Sequence, residues 1–145
     1  MKVMLRLRKY LSVVLLGVLL VPSWNCKKAI ENAQEDFVVS LITNNLWVIT
    51  LYSENGTDQT ALFNGYDFKF NKDLTVYGRI AGQPDAAGTW KGDAAAMTIT
   101  SAFPNGPAPL SKLTGVWNIT RTTLTSVKST RTENGVVYNL DLQKK

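Results

Sequence analysis

The 145-residue sequence contains no histidine and one cysteine, Cys26. Without histidine there is no imidazole general base, no histidine-ligated metal and no Ser-His-Asp triad. A lone cysteine forbids an internal disulfide. Carboxylates are missing from the N-terminus: none precedes Glu31, whereas Lys2, Arg6, Arg8 and Lys9 crowd its start. A bilayer-length apolar run is missing there too. The run from Leu11 to Val21 is interrupted by Ser12 and Gly17, and it falls well short of the roughly 20 residues a spanning helix needs. What remains is a basic stretch followed by a short apolar one, the pattern of a secretory signal peptide.

Cys26 sits five residues beyond that apolar run. The placement resembles a bacterial lipoprotein signal, in which the thiol accepts a diacylglyceryl group and becomes the first residue of the mature chain. Lys27-Lys28 follow it, as in relaxed signals of this kind in some Gram-negative lineages. Ser23-Trp24-Asn25 stands where small residues are usual. The alternative is an ordinary cleavage site near Ser23 that leaves Cys26 as a free thiol. The lipoprotein reading divides the chain into a signal peptide at 1–25, a lipid-anchored tether with a short helix at 26–43, and a domain at 44–145. It implies export and anchoring through Cys26, with the outer membrane as the expected location, on its periplasmic face or at the cell surface. Each acyl CH₂ buried in the bilayer contributes about 0.8 kcal/mol.

The formal charge of +5 suggests an anionic partner until the charges are located. Residues 1–25 hold four cations and no acid, so the remainder carries 12 basic and 11 acidic residues, a net +1. Its paired cations are Lys27-Lys28 and Lys144-Lys145. A nucleic-acid footprint is therefore not expected.

Ile30, Phe37, Val38, Leu41 and Ile42 share one face of a helical period, with Glu31, Glu35 and Asp36 toward the N-terminal half. The spacing predicts a short helix ahead of the domain; a flexible tether is the alternative. Past Asn44 the period becomes two. Trp47, Ile49 and Leu51 alternate with Val48, Thr50 and Tyr52, and Tyr66, Phe68 and Phe70 alternate with Asp67, Lys69 and Asn71. Further strands are expected at 74–80, 86–91, 97–103, 115–121, 123–129 and 136–142, with a type I′ turn at Asn134-Gly135 and a Pro/Gly-rich loop from Pro104 to Pro109. Eight short strands with frequent turns and no second helix predict an all-β antiparallel up-and-down barrel, closed so that no edge is left bare. Trp47-Val48-Ile49-Thr50 also echoes in Trp117-Asn118-Ile119-Thr120.

A family resemblance rests on these same residues. The runs Trp47-x-Ile49-Thr50-x-Tyr52, Asn55-Gly56-Thr57-Asp58, Phe63-x-Gly65-Tyr66-x-Phe68-x-Phe70-Asn71-x-Asp73, Gly88-Thr89-Trp90 and Gly115-x-Trp117-x-Ile119 are similar to those of small lipocalin-like domains of bacterial lipoproteins. The resemblance spans roughly residues 44 to 143 and implies a calycin-type eight-stranded barrel on a lipid anchor. It implies no particular ligand. Leu74 stands where that family often has glycine in a hairpin turn.

Trp47, Phe68, Phe70, Trp90, Trp117 and Tyr138 are candidates to line a ligand cavity, with Gly78, Gly88 and Gly92 leaving room beside them. Core filling is the competing reading, because an eight-stranded barrel holds either side chains or one small ligand. Arg121 shares the parity of Trp117 and Ile119 and is expected at the barrel mouth. The aspartates fit turns and solvent faces, with no calcium-loop or paired-carboxylate spacing, so no metal or cofactor is expected. The functional expectation is a non-enzymatic envelope lipoprotein that binds a small apolar or amphipathic ligand. Its alternative is a filled barrel that meets an envelope protein partner through its loops.

Overall fold

The computed structural model describes residues 39–145. The expected signal peptide, Cys26 and the first part of the expected helix lie outside the described residues. Residues 39–43 are helical (α1). The Thr43 hydroxyl donates to Val39 O at 2.8 Å and Asn45 Nδ2 to Leu41 O at 3.1 Å, satisfying carbonyls that the helix end leaves free.

The strands are β1 Leu46–Glu54, the two-residue β2 Thr57–Asp58, β3 Asp67–Phe70, β4 Thr75–Arg79, β5 Ala86–Asp93, β6 Thr98–Ala102, β7 Gly115–Thr122, β8 Ser126–Glu133 and β9 Val136–Lys144. Strand β2 folds back on the end of β1. From β1 the sheet runs through β3 to β9 in chain order, each pair antiparallel, and β9 pairs β1 from Trp47↔Lys144 to Glu54↔Tyr138. The result is a closed eight-stranded antiparallel barrel with a short helix before it. Closure pairs both edges of a sheet that would otherwise expose unpaired backbone.

Three departures from simple alternation have clear causes. Register shifts fall between Ile49 and Leu51 in β1 and between Ile119 and Arg121 in β7. One extra residue, Thr50 or Thr120, reverses the facing of every residue after it. Tyr52, not Leu51, is therefore the fully buried residue. Strand β8 begins at Ser126 rather than at 123, because the Thr123 hydroxyl accepts from the backbone N–H of Thr125 and Ser126 and forms a turn. A second helix does exist: a 3₁₀ turn covers Thr60–Phe63, and within the expected loop Ala108–Ser111 forms a helical turn, α2. Proline is tolerated in a first helical turn, and burial of Leu110 fixes the turn against the barrel.

The barrel's two ends differ. One carries α1 and the turns after β3, β5 and β7. The other carries α2, Phe63, Phe103 and Leu113, all four elements contributing buried side chains to a plug. Gly78 and Gly88 make space for it. A Cβ on Gly78 would come within 2.8 Å of Leu110 Cδ1, and one on Gly88 within 2.5 Å of Ala102 O and 2.7 Å of Phe103 Cδ1. These glycines serve the plug rather than a ligand.

Candidate functional site

Trp47, Phe68, Phe70, Trp90 and Trp117 all point inward and are buried. Each tryptophan satisfies its indole N–H on a backbone carbonyl: Trp47 on Ile42 and Trp117 on Leu113 at 2.9 Å, and Trp90 on Asn71 at 2.9 Å. Phe70 meets Trp90 edge-on at 5.5 Å, and Phe68 meets Phe103 edge-on at 6.5 Å. Such contacts fix ring orientation as well as burying area. The space left in the barrel centre, among Ile49, Phe70, Trp117 and Leu140, is about 40 Å³, enough for a water molecule but not for a ligand.

A larger cavity lies at the α1 end. It measures about 330 Å³ and is bounded by Leu41 and Ile42 of α1, Gly92 and Met97 of the β5–β6 hairpin, and Leu124 of the β7–β8 hairpin. Ile99 and Val127 form its floor and also line the small central void. Nearly all of its wall is hydrocarbon, and its size reaches the lower end of the range for small-molecule sites. Of the seven residues the sequence singled out as lining candidates, none borders this cavity. A broader, open groove of about 560 Å³ at the other end has mixed walls, with Gln83, Asp85 and Asn105 beside Tyr66, Ile80 and Pro107.

Arg121 lies near the α1 end of β7 but does not face the barrel interior. The register shift at Thr120 turns it outward, exposed and opposite Lys128. The inward arginine is Arg131 on β8, 7% exposed, with its guanidinium 4.8 Å from the Trp117 ring and 4.4 Å from the Tyr138 ring. Nη1 donates to Thr114 O and Nη2 to Lys112 O, while Nε has no partner. Gly115, at φ +142°, admits this head group: a Cβ there would collide with Nη1 and Cδ of Arg131. Beside it, Glu54 accepts from the Tyr52 hydroxyl at 3.0 Å and from Lys112 Nζ at 2.7 Å. The Lys112 hydrogen bond holds the Glu54 carboxyl below its ordinary range, and burial followed by the Glu54 contact pushes the Tyr52 phenol up. Tyr138 is half-buried in the same cluster, 6.4 Å from Tyr52. These groups tie β1, β8 and β9 to the segment around α2. Among the described residues, no three His, Cys, Asp or Glu side chains converge as a metal site would require.

Parity with Val127 and Ser129 could have revealed Arg131. Met97 and Leu124 carried a weaker signal, as apolar residues in turns where polar ones are usual.

No protein-family model and no curated protein matches the chain. Among solved structures, the barrel is similar to a DUF4847 family protein from Bacteroides vulgatus, with a TM-score of 0.52 and 13% identity, over 71% of this chain and 95% of that one. That likeness extends to the fold.

Proposed function

We propose that this protein is a lipocalin-like lipoprotein of the cell envelope, anchored through Cys26, whose barrel binds a small apolar or amphipathic molecule at the α1 end. The observation that carries the binding reading is the hydrocarbon-walled cavity of about 330 Å³ between α1 and two hairpins. Burial of apolar ligand surface there is favourable by about 25 cal/mol per Å², and the floor of Ile99 and Val127 stops a guest from entering the filled centre. The basic N-terminus, short apolar run and position of Cys26 support the anchor.

The binding test is a panel of fatty acids, sterols and haem-like dyes, read by quenching of tryptophan emission. Gly92 lies on the cavity wall, and a Cβ there would sit 3.7 Å from the Trp90 ring, so Trp90 is a nearby reporter. Saturable quenching supports binding; a flat response across the panel refutes it. The solid aromatic interior favours one rival, a filled barrel acting as an interaction module, and that flat response is its signature. For the anchor, mass spectrometry of the mature chain should show a diacylglyceryl mass that Cys26→Ala removes. An unmodified Cys26 in released protein would contradict lipidation.

A further inference from the structure

The three hairpin turns at the α1 end share an unusual feature. Each presents a large apolar side chain to solvent: Leu74 is 46% exposed, Met97 47% and Leu124 65%. Two of these, Leu74 at φ +67° and Met97 at φ +52°, also hold left-handed backbone conformations that glycine or asparagine would adopt more cheaply. Exposure and strain are thus both tolerated at the same tips. Leu62, Val116 and Val137 are also exposed, toward the α2 end, but they lie in the 3₁₀ turn and on strand faces; at the α1 end a large apolar residue occupies every hairpin tip.

Charge is segregated along the same axis. Among the described residues, the half toward α1 holds seven cations and four carboxylates, Asp67 (paired with Lys145), Asp73, Asp93 and Asp141, a net +3. On the half toward α2, Arg79, Lys112 and Arg131 face Glu54, Asp58, Asp85 and Glu133, a net −1. Among the described residues, Lys72, Lys91, Arg121 and Lys144 form no ion pair. They surround the apolar tips as solvated cations.

The geometry points to an anionic bilayer as the partner of this end: Leu74, Met97 and Leu124 enter the headgroup–acyl boundary while the surrounding lysines and Arg121 meet lipid phosphates. Apolar wedges ringed by cations are what such an interface selects, the cations adding attraction to the anionic headgroups. The mouth of the apolar cavity, between Met97 and Leu124, then opens onto the membrane. This orientation is independent of whether the cavity is occupied.

The experiment places a single reporter at either end of the full chain on phosphatidylglycerol vesicles whose acyl chains carry bromine. Leu124→Trp marks the α1 end; Val137→Trp, exposed at the α2 end, is the control. With the signal of the unmodified chain subtracted, the added emission of Leu124→Trp should fall by about half or more through contact quenching and that of Val137→Trp should not. Equal emission in brominated and ordinary vesicles, or quenching confined to Val137→Trp, overturns the proposal. Amide exchange of the unmodified chain on the same vesicles is a second measurement needing no substitution: residues 94–97 and 123–125 should exchange on the order of tenfold more slowly relative to the turn at 134–135 than they do off the membrane, and an unchanged ratio again overturns it. A chain that quenches with ligand panels but fails these tests loses this orientation alone, not its binding site.

Discussion

Arg131 shows how much one residue can hold together. A guanidinium between two aromatic rings gains cation–π attraction while its fork reaches the carbonyls of Lys112 and Thr114, just beyond α2. Lysine offers a point charge with no planar face and no fork. Arg131→Lys should lower folding stability by about 2 kcal/mol, measured by urea denaturation; an unchanged midpoint would show that the stacking contributes nothing. Neighbouring Glu54 and Tyr52 give opposite pH signatures. Glu54 has a depressed folded-state pKa, caused first by the Lys112 hydrogen bond. Its contribution is therefore present above the unfolded value of about 4 and disappears as pH falls through the folded one. Glu54→Gln should flatten the acid limb of a thermal-midpoint profile. Tyr52, raised chiefly by burial, contributes fully below the unfolded value of about 10 and loses that contribution as pH rises beyond it. Tyr52→Phe should correspondingly flatten the alkaline limb, and an identical profile in both variants would contradict these assignments.

At the scale of elements, the sequence echo proves structural. Trp47 and Trp117 each follow a short helical turn, each donates to a carbonyl of the segment before its strand, and each precedes a bulge whose threonine, Thr50 or Thr120, bonds a carbonyl of the facing strand. Alternation made the strands legible because a half-buried strand must repeat every two residues. The same rule misplaced Tyr52 and Arg121, since a bulge changes facing without changing composition. The cavity was not legible at all: its walls come from α1 and two hairpins far apart in sequence, brought together by barrel closure. Leu74 was legible as a departure, and its φ of +67° gives the reason glycine suits the position. Leu74→Gly should stabilise the domain by about 1 kcal/mol by removing left-handed strain, visible as a higher denaturation midpoint. Loss of stability would mean that the exposed side chain contributes packing that offsets the strain.

The described residues form a barrel closed sideways by β1–β9 pairing and lengthwise at one end by α2, Phe103 and Leu110. Its interior rings leave almost no central space, so any guest must occupy the other end. This asymmetry separates the scaffold from the candidate site: residues that build the core can be kept while the cavity is filled. Gly92 permits that test, because a side chain there meets Trp90 at ordinary contact distance and projects from the cavity wall. The decisive measurement is a calorimetric titration of dodecanoic acid into the native protein and into Gly92→Leu, with the thermal midpoint recorded for both. The account predicts saturable binding to the native protein and at least about tenfold weaker binding, or about 1.4 kcal/mol, to a Gly92→Leu variant that remains folded. Equal affinity in the two proteins would contradict a binding site at the α1 end.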